Sequence, residues 1–109
     1  MNDFYINGIK WQIKLVAADS TKLFRSDGSK TVGMTDWNTC TVYIADNLQE
    51  RFYEKVLCHE LCHCFCFSYD IHIDIEQEEF LAEWVSIYGR KVIELLDYLL
   101  SKNSVLSKQ

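Results

Sequence analysis

An α+β domain is predicted by the order in which two kinds of hydrophobic pattern occur along this chain. Short segments with strand-like patterns are confined to the first 45 residues. Two long segments with helical periodicity follow and occupy most of the remaining sequence. Strands followed by helices favour a small sheet with helices packed against it. At 109 residues the chain suits one domain, 1–109, with one core.

The first strands are indicated by a period-2 pattern next to a turn signal. Apolar side chains alternate with polar ones at Ile9, Trp11, Ile13 and Leu15. Asn7-Gly8 directly before this segment is typical of a tight turn, so Phe4 to Ile6 is predicted to be a short antiparallel partner strand. Residues 17–30 are expected to be irregular or to hold one short helix.

Two further strands are predicted, one at residues 31–35 and one from Cys40 to Ile44. Residues 36–39 connect them, which favours a hairpin. In the second strand Val42 and Ile44 are expected on one face and Tyr43 on the other. The complete prediction is an antiparallel sheet of three to four strands.

The first predicted helix begins near Asn47 and runs to about Tyr69. Asp46 and Gln49 match a capping box at its start. The segment is apolar on nearly all sides, which predicts a central, buried helix. Its polar exceptions between residues 56 and 67 are His59, Glu60 and His63.

The second predicted helix follows a loop at residues 70–75 and runs from about Glu76 to about Leu100. It carries an apolar stripe at helical spacing, whose aromatic members are expected to point into the core, namely Phe80, Trp84 and Tyr88. The chain from about Ser101 onward is polar and is expected to fray.

Composition narrows the functional classes. The net charge of −5 disfavours nucleic-acid binding, because few basic groups are available to contact phosphates. No segment approaches a membrane span, and the first residues lack the pattern of a secretory signal. An odd number of clustered cysteines is a poor disulfide framework, so free thiols in the cytoplasm are predicted, at Cys40, Cys58, Cys62, Cys64 and Cys66.

The strongest functional motif is His59-Glu60-Leu61-Cys62-His63, which reads HExxH. On a helix, positions i and i+4 share one face, so both imidazoles can reach one metal ion. Glu60 is suitably spaced to act on water at that ion, and metal-assisted hydrolysis needs this set of groups.

A third metal ligand is expected from the acidic start of the second helix. Glu79 and Glu83 are four residues apart and share a face, so one can bind the metal while the other orients a histidine. Glu76 and Glu78 compete for the role of third ligand, since acidic residues at a helix start also complement its dipole. The cysteines are expected to be core residues, although a structural Cys/His zinc site is an alternative.

HExxH followed by Glu79-Phe80-Leu81-Ala82-Glu83 resembles the gluzincin metallopeptidases, and especially the small ImmA/IrrE-like and phage-type zincins. Gly33-Met34-Thr35-Asp36 before an Ile-rich segment is similar to a pattern in the same proteins. The resemblance covers about residues 31–100 and implies a minimal zincin-like fold.

The resemblance also implies roles for individual residues. His59, His63 and Glu79 would bind Zn²⁺, Glu60 would be the general base that deprotonates the zinc-bound water, and Glu83 would support a ligand. A protein or peptide substrate would pair along the strand from Cys40 to Ile44 as an edge strand.

Two departures from the family pattern concern individual residues. Glu83 stands where the larger gluzincins have Asp. The residue that stabilises the oxyanion has no secure match, and the candidates by type are Tyr69, His72 and Tyr88.

Two functions are therefore predicted for the chain. The first is a zinc metalloendopeptidase. The alternative is a zinc-binding module that holds peptides without cutting them. A chain this short has few residues with which to form the walls of a substrate-binding groove. A partner protein that completes the groove is therefore a further expectation.

Overall fold

A four-stranded sheet and two long helices form the structure, a computed structural model that describes residues 3–102. The strands are β1 (Asp3–Ile6), β2 (Ile9–Val16), β3 (Gly33–Asp36) and β4 (Thr41–Ala45). One 3₁₀ turn, Thr21–Leu23, lies in the segment between β2 and β3. The helices are α1 (Glu50–Ser68) and α2 (Ile75–Lys102). The predicted α+β class is confirmed, and the predicted tail beyond Lys102 lies outside the described residues.

The strand order is β1-β2-β4-β3, and the sheet is mixed. β1 and β2 form the predicted hairpin, with positive φ angles of 50° at Asn7 and 80° at Gly8. β3 and β4 form the second predicted hairpin. β2 and β4 run parallel, which corrects the prediction of an antiparallel sheet. The connection that this parallel pair requires runs through the segment with the 3₁₀ turn and then through β3.

The strand predicted from Cys40 to Ile44 forms one residue later and is central, not at an edge. β4 pairs with β2 on one side and with β3 on the other. Cys40 belongs to the turn, with a φ of 50°. The prediction that a peptide pairs along β4 is therefore wrong, because β4 has no free edge among the described strands. The edge strand on this side is β3.

The core lies on both faces of the sheet. Val42 and Ile44 pack with Trp11 and Val56 beneath α1. Tyr43 points the other way, as predicted, and packs with Leu23 and Ala45. Two contacts fix the end of α1: the Trp11 indole N–H donates to Ser68 Oγ at 2.8 Å, and Asn7 Nδ2 donates to the Ser68 carbonyl at 3.0 Å.

The start of α1 corrects the predicted capping box. The Asp46 N–H donates to the Val16 carbonyl at 2.8 Å, so the backbone is still held by the sheet at this residue. The helix begins at Glu50, and Gln49 is its N-cap residue, without a side-chain capping bond to any described residue.

The helices are less buried than predicted. In α1 the residues that face the sheet are buried, including Val56, Glu60 and Cys64, whereas Phe65 and Phe67 are exposed. In α2 only Ala82 is buried among the described residues. The prediction that Phe80, Trp84 and Tyr88 point into the core is wrong, since all three are exposed. α2 packs mainly on α1, and most of its large apolar side chains are exposed within residues 3–102.

Candidate metal centre

The antiparallel pairing of α1 and α2 brings the HExxH segment beside the acidic start of α2. Two ion pairs mark the alignment: Lys55 Nζ lies 2.9 Å from Glu83 Oε2, and Arg90 Nη1 lies 3.2 Å from Glu54 Oε1. The connection between the helices, residues 69–74, is six residues long. A connection this short favours antiparallel packing of the two helices that it joins.

The Nε2 atoms of both motif histidines face one carboxylate. His59 Nε2 lies 3.0 Å from Glu79 Oε1, and His63 Nε2 lies 3.2 Å from Glu79 Oε2. The two rings are neighbours, with centroids 5.2 Å apart, as expected for an i, i+4 pair. One nitrogen from each histidine and one Glu79 oxygen all lie within 4.8 Å of one another.

The opposite nitrogen of each ring faces a carboxylate of its own. His59 Nδ1 lies 3.3 Å from Glu83 Oε1. His63 Nδ1 lies 2.5 Å from Glu78 Oε2. When Nδ1 carries the proton and donates to its carboxylate, the Nε2 lone pair is free to bind a metal.

This arrangement of charges fits a bound cation. With Nδ1 protonated in a neutral ring, each Nε2 is an acceptor, and it faces the acceptor oxygens of Glu79. Such acceptors repel one another unless protons or a metal ion lie between them. Zinc bonds of about 2.0–2.2 Å at tetrahedral angles separate ligand atoms by about 3.3–3.6 Å, close to the distances from Glu79. The donor set therefore suits Zn²⁺.

Lys55 adds a positive charge at the edge of the site. Its ammonium group donates a hydrogen bond to Glu83, and this bond and the charge hold the pKa of that carboxyl below its usual range. Glu83 is therefore ionised at neutral pH, and its oxygens can accept a hydrogen bond from the His59 N–H. Glu83 and Glu79 are both about half exposed, so the site opens to solvent on the α2 side.

Glu60 lies against β3. It is 8% exposed, and its Oε1 accepts a hydrogen bond of 2.7 Å from the Thr35 hydroxyl. Gly33 makes room for it: a Cβ at Gly33 would lie 3.2 Å from Glu60 Oε2 and 2.7 Å from Val56 Cγ1. The absence of a side chain at Gly33 thus allows β3 to approach α1 where Glu60 lies.

An aromatic pair extends the site along the same face of α1. Phe67 is four residues after His63, and its ring stacks on Trp37 at 5.9 Å between centroids. Trp37 directly follows β3, and 55% of its surface is exposed. This Trp37–Phe67 shelf therefore connects the end of the edge strand to the helix that carries the histidines.

Glu76 and the three candidates for oxyanion stabilisation make no hydrogen bond, ion pair or ring contact with the close ligand group among the described residues. Glu76 is exposed and is not a member of the close ligand group. Tyr69 stacks on Phe65, His72 pairs with Asp70, and Tyr88 contacts Trp84. These contacts do not involve His59, His63 or Glu79.

The cysteines are free thiols, and none belongs to the close ligand group among the described residues. Burial raises the pKa of Cys64 to about 12 and that of Cys62 to about 11. Both are therefore protonated at neutral pH in the absence of a bound metal. Cys64 and Cys66 are buried, as expected for core residues.

Sequence reasoning missed the contacts of two residues. Glu78 was expected only as a competing ligand, yet its carboxylate faces the distal nitrogen of His63. The position of Glu78 directly before Glu79 was the available signal. Thr35 belongs to the Gly33-Met34-Thr35-Asp36 motif, but nothing in its local sequence indicates the hydrogen bond to Glu60.

Comparisons of the chain with models of protein families, with curated proteins and with solved structures gave no match. Among residues 3–102, neither helix is both long enough and apolar enough to cross a membrane.

Proposed function

We propose that this protein is a zinc-dependent peptidase of the gluzincin type, in which His59, His63 and Glu79 hold the ion. The observation that carries the proposal is the convergence of two imidazole Nε2 atoms on one carboxylate, while each Nδ1 has a separate carboxylate partner. One cation would satisfy both Nε2 lone pairs and the Glu79 carboxylate at once.

Zinc, when bound, lowers the pKa of water and polarises a carbonyl oxygen. Glu60 is the general base. It accepts a proton from the attacking water and delivers it to the amine nitrogen as the C–N bond breaks. Thr35 holds Glu60 through its hydroxyl, and the carboxylates of Glu78 and Glu83 hold the two rings in the orientation that directs Nε2 to the ion.

The substrate we propose is an extended peptide paired to the free edge of β3. Strand edges bind extended peptides through main-chain hydrogen bonds. Thr35 of β3 contacts Glu60, so a peptide on this strand would pass beside the general base. The Trp37–Phe67 shelf at the end of β3 suits an apolar or aromatic side chain of that peptide.

The substitution Glu60→Gln tests the catalytic role. Glutamine keeps the size of the side chain and its hydrogen bond from Thr35 but is a poor base. We expect one zinc per chain to remain and hydrolysis of an unbiased peptide library to fall by at least about a hundredfold. A chelator should abolish cleavage by the wild type. Undiminished cleavage by the variant would contradict the assignment of Glu60.

A second candidate function is a zinc-stabilised module that binds peptides without cutting them. It is favoured by one observation: the three candidates for oxyanion stabilisation all make their contacts away from the site. Under this alternative, the wild type would bind zinc and retain peptides from the library but release no cleavage products. The same library experiment therefore separates the two functions.

A further inference from the structure

The outer face of α2 carries a continuous apolar stripe. Its members, here called the outer stripe, are Leu81, Trp84, Tyr88, Val92, Leu95 and Leu99. Each of these six is between 41% and 57% exposed. At about 100° per residue they lie within an arc of about 80°. The contacts of α2 with α1 come from the opposite side, through buried Ala82 and through Glu79, Glu83 and Arg90.

α2 also extends past the end of α1. Arg90 pairs with Glu54, which has four residues of α1 before it, whereas α2 continues for twelve residues after Arg90. About eight residues, or roughly 12 Å of helix, therefore project beyond α1. This projecting part carries two exposed leucines outside the outer stripe, Leu96 and Leu100. A helix that is apolar on both sides is normally covered on both sides.

We propose that the outer stripe is the interface of a two-fold symmetric dimer, in which α2 packs antiparallel against α2 of a second copy. The stripe is self-complementary about Arg90. Antiparallel pairing sets Leu81 opposite Leu99, Trp84 opposite Leu95 and Tyr88 opposite Val92. Every member meets another member, which is the property of an isologous interface.

The exposed area agrees with a second copy as the occupant. Half-exposed side chains of this size each offer about 80–100 Å², and the flanking Phe80, Ile87 and Tyr98 add more apolar surface. The total approaches the roughly 800 Å² per partner of a standard stable interface. α1 lies on the opposite side of α2, so nothing in residues 3–102 covers the stripe. The dimer would also support the helix that carries Glu78, Glu79 and Glu83.

Sedimentation equilibrium of the full chain at about 100 µM tests this proposal. We expect twice the chain mass of 12.8 kDa. Leu95→Lys should give a monomer, while the matched control Glu94→Lys, next to it on the polar side, should remain dimeric. Circular dichroism should show unchanged helix content in both, since both side chains are exposed in the monomer. A monomeric wild type, or a Leu95→Lys variant that still dimerises, would overturn the proposal.

A charge pair tests the antiparallel arrangement. Tyr88→Lys and Val92→Glu should each be monomeric alone, because each sets two charges against an apolar surface. An equal mixture should form a heterodimer, since antiparallel pairing sets the new lysine opposite the new glutamate. In a parallel dimer these positions do not meet. Failure of the mixture to dimerise would overturn the antiparallel arrangement.

Discussion

The hydroxyl of Thr35 is the contact that holds the proposed general base. Glu60 is largely buried between α1 and β3, and Thr35 donates to its Oε1 at 2.7 Å. A buried carboxylate needs such donors, because removal from water penalises its charge. Gly33 contributes by its lack of a side chain, since a Cβ there would meet Val56 and Glu60. Two residues of the edge strand thus determine where the base lies.

The substitution Thr35→Val removes this hydrogen bond and keeps the shape of the side chain. We expect kcat to fall about tenfold to a hundredfold, the equivalent of one hydrogen bond to a charged group, with one zinc still bound per chain. Thr35→Ser, which retains the hydroxyl, is the matched control and should keep most of the activity. Equal kcat values for the valine and serine variants would show that the bond does not position Glu60.

At the scale of residues, the sequence predicted which side chains meet at the candidate site better than the contacts that support them. HExxH on a helix brings His59 and His63 together through helical spacing alone. The position of Glu79 depends on how α1 and α2 pack, and the short connection between them made an antiparallel arrangement predictable. The bond from Thr35 joins residues that are 25 apart, and its geometry depends on the sheet order, which local patterns do not contain.

At the scale of elements, α2 is the source of every carboxylate around the two histidines. Glu79 faces both Nε2 atoms, and Glu78 and Glu83 each face one Nδ1. Consecutive residues Glu78 and Glu79 lie about 100° apart around the helix, so they approach His63 from different directions. One helix therefore presents both the proposed ligand and the two groups that orient the rings.

The substitution Glu78→Gln should weaken zinc binding about tenfold to a hundredfold, because His63 loses a charged acceptor at its distal nitrogen. Calorimetric titration with zinc measures the change. Glu76→Gln, an exposed position in the same turn, is the matched control and should bind as the wild type does. If both variants bound zinc equally, the contact between Glu78 and His63 would have no role in metal binding.

The sheet was predicted correctly in its strands but not in its order. Both hairpins follow from local turn signals, and those signals say nothing about how one hairpin pairs with the other. β4 is buried at all five positions, from Thr41 to Ala45, which is typical of a central strand with both faces covered. Its nearly continuous apolar run was the signal that contradicted an edge position.

At the scale of the whole molecule, the candidate metal centre lies between the two long helices. α2 packs on α1, and Ala82 is its one buried side chain in the described range. Histidines on α1 and glutamates on α2 contribute jointly to the site. Zinc would therefore stabilise the attachment of α2, in addition to any role in catalysis.

Removal of zinc should lower the melting temperature of the protein. A ligand that binds only the folded state adds about 4 kcal/mol at a thousand times its Kd, which for a domain of this size corresponds to a shift of more than about 10 °C. Thermal melts with and without a chelator measure it. His63→Gln is the control and should melt at one temperature under both conditions. An unchanged melting temperature of the wild type would contradict a zinc link between the helices.

The central claim is that one zinc ion is held by His59, His63 and Glu79. Zinc K-edge X-ray absorption of the protein with one equivalent of zinc tests it most directly, because nitrogen and sulfur ligands differ in bond length. We predict a shell of nitrogen and oxygen atoms at about 2.0–2.1 Å, with outer scattering from two imidazoles. A sulfur shell at about 2.3 Å, from a cysteine such as Cys62, would contradict the claim.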